Sequence, residues 1–568
     1  MINNLHAKPP KWITSLRNMV ETSDEVFGEK PLFHYFRNKE MKTYTYRDLR
    51  HYTETIGTAL IKLDLSGKNI ALIGDNHPFY TTSYLATVNS NATIVPLAKE
   101  LAAEQITDFL RVAEVEAVFY SACFNGKIRA LAASLPNVRY FFPFEPNETE
   151  AGDNIYSVEA LSAMGDAAIR EGDRSYLDLE IDMERCCSIL FTSGTTGTSK
   201  GVMLSQRNLT AAVNSSCLSM SYDDENTFVS VLPPHHTYEM TCGQFGVINI
   251  GAQALINDSI KHVMKNFATY KPNALALVPL FLETMHKKIW DEIRRQGKEK
   301  AVRAAMKLNS ALMAVGIDIR PKLFGKITAA FGGNLKSIVC GGAPISPSII
   351  KDFYHFGITV LEGYGITECS PLVAVNSPGH VRFHSVGTPV YGCDVRIDYD
   401  EGQSTGEILV KGENVMLGYY KNEEATAEVF TEDGYFRTGD IGYMDKENYI
   451  YITGRKKNVI ILSNGKNVFP EELEEYLSKV PCITESVVVG RKSEDGKEEV
   501  AITAIIVPDM DHPSLSGKTP AEVHEAIRGE VAAVNKKLPS YKHMTHVEIS
   551  YEPFEKNSSH KIKRYMVH

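Results

Sequence analysis

An apolar run, Ile189-Leu190-Phe191, leads directly into Thr192, Ser193, Gly194, Thr195, Thr196 and Gly197, with Lys200 closing the segment. A loop of this kind turns backbone N–H groups inward around a polyanion, while its hydroxyls and one ammonium add donors. Gly194, Gly197 and Gly201 allow the backbone angles and the close approach that such a cradle needs. It is not a Walker loop. That pattern needs four residues between Gly and Gly-Lys, whereas two separate Gly194 from Gly197 and Ser199 precedes Lys200.

Other chemistry-bearing residues are less decisive taken singly. His235 and His236 are neighbours, so the one that meets a substrate is ambiguous by one position. Lys556, Lys561, Lys563 and Arg564 form a basic tail that alone reads as a solvated end. No Ser-His-Asp or Cys-His set is apparent. The nine cysteines include no C-x-x-C pair, which points to buried free thiols in a reducing compartment and against a zinc site.

The elements that must position these groups alternate. Residues Tyr44 to Leu63 read as a helix, Lys68 to Gly74 as a buried strand, Pro78 to Val88 as a helix and Thr93 to Leu97 as a strand. Strands recur at Ala117, Cys187, Ala274 and Lys336. This is an α/β pattern with parallel sheets. After about residue 386, short strands separated by glycine give a small β-rich subdomain. A small α+β domain follows, with a helix at Pro470 to Lys479 and strands at Ser486 to Val489 and Val500 to Val507. The expected division is therefore 1–453 and 454–568.

The chain has 568 residues, 43% hydrophobic and 23% charged, which excludes a mainly disordered or fibrous protein. Its net charge of −10 argues against nucleic acid as a partner. No signal-peptide pattern and no run long enough to span a bilayer is visible, so a cytoplasmic location is expected. About residues 285–330 the balance reverses. Lys287, Lys288, Arg294, Arg295, Lys298, Lys300, Arg303, Lys307, Arg320, Lys322 and Lys326 face only four acids, and Ile289, Ile293, Val302, Met306, Leu312 and Val315 recur at helical spacing. A helical insert with a basic face follows. Its two readings are a solvated face and a peripheral contact with an anionic membrane, on the inner face of that membrane.

Taken together in order, these motifs resemble the adenylate-forming superfamily of acyl-CoA synthetases, peptide-synthetase adenylation domains and luciferases. The glycine-rich loop is its signature. Leu232-Pro-Pro-His-His-Thr-Tyr-Glu resembles the acyl-site motif, with His236 in the usual position and Tyr238 and Met240 nearby. Gly341-Gly342-Ala343-Pro344 resembles the adenine wall, and Glu362-Gly363-Tyr364-Gly365-Ile366-Thr367-Glu368 the segment behind it. Tyr435 to Asp440 resembles the ribose motif, Gly454 to Ile460 the hinge, and Lys556 to Arg564 the motif of the terminal lysine. The chain departs from the family in having His560 where a glycine usually precedes that lysine, and Lys457 at a hinge position that is Asp in some members.

The resemblance implies two stacked α/β subdomains with a small β-rich subdomain, then a small mobile C-terminal domain. It implies ATP, Mg²⁺ and CoA as cofactor and co-substrates. Lys200 and the loop would hold the β- and γ-phosphates, Thr367 would donate to the α-phosphate, and Glu368 would ligate Mg²⁺. Tyr364 would lie against the purine, Asp440 and Arg455 would meet the ribose, and Lys561 would bridge carboxylate and α-phosphate. The insert is similar to that of bacterial-type long-chain fatty acyl-CoA synthetases, so a fatty acid of medium to long chain is the implied substrate. An acyl carrier protein in place of CoA is the alternative acceptor, a non-catalytic lipid- or nucleotide-binding relative the third reading, and an oligomer is compatible with all three.

Overall fold

The computed structural model describes residues 11–567 except 133, 136, 147–153, 193–198, 400–402, 463–466, 493–499 and 557–561, and leaves out the side chains of 129, 132, 492 and 565. The chain forms two compact units. The first runs over Met1–Thr192, Ser199–Asp394 and Val410–Gly434; the second contains Val395–Leu409 and Tyr435–His568.

The first unit contains two sheets among the described residues. In one, the strands lie in the order Gly418–Tyr419, Lys200–Ser205, Cys186–Thr192, Thr93–Leu97, Asn69–Ile73, Val115–Tyr120, Tyr140–Pro143. Thr93–Leu97 is buried throughout, and its β-branched, apolar sequence suits a strand covered on both faces. The helix Pro78–Asn89 that precedes it is buried at every position, so it shows no polar face. Helix Tyr46–Lys62 starts at a capping box between Thr45 and Asp48. It meets helix Val158–Arg170 so closely that a Cβ on Gly165 would lie 1.8 Å from the Thr55 carbonyl oxygen.

The other sheet runs Thr388–Pro389, Leu372–Val375, Thr359–Gly365, Ser337–Cys340, Ala274–Leu277, Thr227–Ser230, Gln253–Ile256, Pro31–Arg37, Glu40–Thr45. Its central strands are parallel. Both sheets are nevertheless mixed, because Pro31–Arg37 and Cys186–Thr192 each turn back into an antiparallel neighbour. The alternation of strand and helix reveals crossovers; it does not reveal short returns, which pair antiparallel.

The basic segment folds as three helices, Pro279–Arg295, Glu299–Met313 and Arg320–Ala329. Ile293 and Met306 are buried in the core around Phe353 and Phe356, with Ile289 and Val302 packed against it. Val315 departs from that pattern. It follows the second helix and is 71% exposed, beside Ile317 at 50% and Leu308 at 54%. The arginines are largely neutralised locally: Arg294 pairs with Asp291, Arg295 with Glu292, Arg303 with Glu299 and Arg320 with Asp318.

In the second unit, Phe436–Met444 and Ile450–Arg455 pair antiparallel. Beyond them Ile483–Lys492, Val500–Pro508 and His546–Ile549 form a small sheet, with helices Pro470–Leu477 and Pro520–Asn535 supplying Leu473, Leu477, Val523, Ile527 and Val531 to its core. The cysteines are free, and Cys123 is exposed, contrary to the expectation that all are buried.

Candidate active site

Thr192 and Lys200 stand opposite each other at the ends of adjacent antiparallel strands, with the Thr192 hydroxyl donating to the Lys200 carbonyl at 3.4 Å. Ser193, Gly194, Thr195, Thr196 and Gly197, between them, lie outside the described residues. The Lys200 ammonium sits 4.6 Å from the centre of the Tyr419 ring. The Tyr419 hydroxyl in turn donates to Glu368 Oε1 at 3.1 Å. Burial, followed by the Glu368 charge, pushes the Tyr419 hydroxyl up, so it remains a donor. The Met416 N–H donates to the Glu368 carbonyl at 2.8 Å and fixes the short helical turn Thr367–Cys369. One tyrosine thus links the Lys200 ammonium to Glu368. Sequence reasoning missed Tyr419; the available signal was Gly418-Tyr419-Tyr420, an aromatic pair in a segment otherwise given no role.

Among the described residues no group of three or more His, Cys, Asp or Glu could cage a metal. A single half-buried carboxylate suits Mg²⁺, which keeps waters and is usually held by one or two carboxylates plus substrate phosphates.

Three parallel strands set the next wall. Leu277 pairs with Cys340 and Cys340 with Glu362, so the strand ends carry Gly341-Gly342 and Glu362-Gly363-Tyr364 to one edge of the sheet. The carboxyl ends of parallel strands are where ligands bind in such sheets. A Cβ on Gly341 would meet the Gly363 oxygen at 3.2 Å and Tyr238 Cζ at 3.8 Å, and Gly342 has φ +92°. A Cβ on Gly365 would lie 2.3 Å from the Pro371 oxygen. Glycine is therefore required for packing at 365 and for backbone conformation at 342. Tyr364 is buried, while Ala343 and Pro344 are exposed.

The acyl-site segment forms a turn followed by the π-helix Tyr238–Phe245. The Tyr238 hydroxyl donates to the Val339 carbonyl at 3.1 Å, which pins the ring beside Gly341. Met240 is buried, and its N–H donates to the His236 carbonyl at 3.0 Å. The rings of His235 and His236 are 4.1 Å apart. Burial, with His236 and Lys99 nearby, depresses the His235 imidazole well below its ordinary value, and its Nε2 has no hydrogen-bond partner among the described residues.

The second unit holds the remaining groups. Asp440 lies within a strand, not in a turn, and is buried; it pairs with Arg455 at 2.7 Å directly across the strand pair. Lys457 is exposed between two tethered neighbours. The Lys456 ammonium binds the buried Glu407 at 2.8 Å, and Asn458 Nδ2 donates to Glu471 Oε1 at 2.6 Å. Partial desolvation of the ammonium, then Arg455 and Arg564, pulls Lys457 down to about 8. Lys561 lies outside the described residues. Later in the sequence, Lys563 pairs with Glu555 at 2.9 Å and Arg564 with Glu474.

Residues 20–420 match the family described as AMP-binding enzyme, and residues 457–568 match its C-terminal domain. The chain belongs to the AMP-binding enzyme family. A relative named long-chain-fatty-acid–CoA ligase FadD15, from Mycobacterium bovis, is 31% identical over 442 residues, 74% of this chain and 69% of that protein. Long-chain-fatty-acid–CoA ligase 5 of Rattus norvegicus is 27% identical over 91% of this chain and 80% of its own length. ATP-bound MatB from Rhodopseudomonas palustris superposes with a TM-score of 0.73 at 21% identity, covering 97% of this chain and 98% of that one. The AMP-binding fold is thus shared across the whole chain, with a large N-terminal region of mixed sheets and a small C-terminal domain.

Proposed function

We propose that this AMP-binding enzyme is an ATP-dependent ligase that activates a medium-to-long-chain fatty acid as its acyl-adenylate and passes the acyl group to CoA. The observation that carries the chemistry is the Lys200–Tyr419–Glu368 linkage beside the strand ends of Gly341 and Tyr364. The names of the relatives support the acid and thiol classes.

A carboxylate is a poor electrophile, and its approach to a triphosphate is opposed by charge. A carboxylate oxygen attacks the α-phosphorus of ATP and pyrophosphate leaves. Lys200 and the loop N–H groups hold the departing phosphates, and Thr367 donates to the α-phosphate. Mg²⁺, when bound, neutralises phosphate charge, and Glu368 would hold it. Tyr364 lies along the purine; Asp440 accepts from the ribose hydroxyls, with Arg455 beside it. Lys561 bridges the carboxylate and the α-phosphate. In the second step the CoA sulfur attacks the acyl carbonyl and AMP leaves. The two steps need different surroundings, which the family meets by moving the C-terminal domain. Lys457, between the Glu407–Lys456 and Glu471–Asn458 tethers, is the pivot of a body beginning at about residue 454. His236, Tyr238 and Met240 border the acyl chain, for which each buried methylene contributes ~0.8 kcal/mol.

The exposed Leu308, Val315 and Ile317, among lysines that form no ion pair with a described residue, support peripheral contact with an anionic membrane. No helix among the described residues is long and apolar enough to cross one.

A panel of carboxylic acids from short to long chain, read by acid-dependent pyrophosphate exchange and by product mass, tests the function. Long-chain acids giving acyl-CoA and AMP support it. Exchange with short or aromatic acids alone refutes the substrate class, and a product formed only with a carrier protein refutes CoA as acceptor.

A further inference from the structure

The second residue of the π-helix Tyr238–Phe245 is an ionisable side chain in the interior. Glu239 is 2% exposed. Its carboxyl accepts from the Ser230 hydroxyl, at the end of strand Thr227–Ser230, and is also hydrogen-bonded by the backbone of Leu232, where the acyl-site turn begins. One side chain at the far end of the turn therefore ties down its near end. The residues between are those that carry His235, His236 and Tyr238.

The tie continues outward. Ser230 Oγ accepts from Asn76 Nδ2 at 2.6 Å, and Gln244 Nε2 donates to Asn76 Oδ1 at 2.9 Å. Thr81 Oγ1 donates to Gln244 Oε1. Asn76 follows strand Asn69–Ile73 of the other sheet of the first unit. The network therefore joins both sheets behind the acyl-site turn.

We propose that Glu239 is a positioning residue of the acyl site, whose carboxylate, holding Ser230 and Leu232, sets the turn that presents His236 and Tyr238 to the acyl chain of the substrate. This rests on the fatty-acid ligase reading above. A π-helical segment has poorer internal hydrogen bonding than an α-helix and is frequent at functional sites, so an outside anchor at its first turn has a definite task.

The anchor is also titratable. Burial pushes the Glu239 carboxyl up to about 7, against the hydrogen bonds from Ser230, Gln244 and the Leu232 backbone. No described cation is among the groups that shift it. Tyr238 and Cys242 are the titratable groups that feel its charge; burial raises Tyr238 far above its ordinary value and Cys242 to about 12, so neither ionises near neutrality. The charged form accepts from Ser230, Gln244 and the Leu232 backbone, so the turn tightens as pH rises through about 7.

The test is fatty-acid-dependent pyrophosphate exchange as a function of pH, on the full chain. Glu239→Gln keeps shape and one acceptor but cannot ionise. It should raise KM for the acid roughly five- to tenfold, the size of one lost buried hydrogen bond, while KM for ATP stays within twofold. It should also abolish the rise in kcat/KM for the acid near pH 7. Ser230→Ala, which removes a donor favouring the charged form, should move that rise to higher pH; it also keeps the test available if Glu239→Gln folds poorly. A rise unchanged in Ser230→Ala, or equal changes in both KM values with a lowered Tm in Glu239→Gln, overturns the proposal. Absence of exchange with every acid in the wild-type protein overturns the ligase reading instead.

Discussion

At the scale of single residues, the site depends on charge placed against charge, and Tyr419 carries one of those contacts. Removing its hydroxyl as Tyr419→Phe leaves the ring under Lys200 and takes away the donor that orients Glu368 Oε1. The expected result is a several-fold higher Mg²⁺ requirement for exchange, the effect of ~1 kcal/mol, with the KM for the acid unchanged. Titrating Mg²⁺ in the exchange assay measures it, and an unchanged midpoint contradicts the assignment. Lys561 is the larger case. Loss of one preorganised donor at developing charge costs ~100- to 1,000-fold, so Lys561→Ala should cut exchange by that order yet leave supplied acyl-adenylate reactive with CoA. Lys563→Ala, whose ammonium is already paired with Glu555, should be mild in both assays. Equal loss of both half-reactions in Lys561→Ala would move the catalytic role elsewhere. The strings that hold Lys200, Glu368, Tyr364 and Asp440 stand out in the sequence because each is local. Tyr419 does not, because its partners are 51 residues away at Glu368 and across a strand pair at Lys200.

At the scale of elements, periodicity identified what is buried and alternation identified the crossovers. Thr93–Leu97 fell where its run of β-branched residues placed it. The hairpin Pro31–Arg37/Glu40–Thr45 was missed because its first strand has half-buried positions and no strict alternation. In the basic insert, helical spacing correctly marked the inward face, yet Val315 lies past the helix end, where spacing carries no information. The structure also changes which charges matter. Arg294, Arg295, Arg303 and Arg320 are satisfied by nearby acids, so Lys287, Lys288, Lys298, Lys300, Lys307, Lys322 and Lys326 are the cations left to meet an anionic surface. Each is worth ~1 kcal/mol near such a surface, so changing all seven to Ser should abolish co-sedimentation with anionic vesicles at low salt. Changing Arg294, Arg295 and Arg303 should have a smaller effect. Unaltered sedimentation in the lysine variant would leave the insert as a solvated face.

At the scale of the whole molecule, the chain forms two units: the first contains Lys200, His236, Gly341, Tyr364 and Glu368, the second Asp440, Arg455 and Lys457. The sequence revealed the change of texture near residue 386 because glycine-separated short strands differ from buried parallel ones. It did not reveal that 395–409 belongs with the second unit while 410–434 belongs with the first, because that grouping arises from strand pairing over long separations. The central claim is that a carboxylate oxygen becomes bonded to the α-phosphorus before the thiol arrives. It is tested most directly with a long-chain fatty acid carrying heavy oxygen in its carboxylate, incubated with ATP, Mg²⁺ and CoA. Mass spectrometry of the nucleotide should find one heavy oxygen in AMP for each acyl-CoA formed. Heavy oxygen appearing in inorganic phosphate with ADP, or unlabelled AMP beside labelled acyl-CoA, would contradict the account.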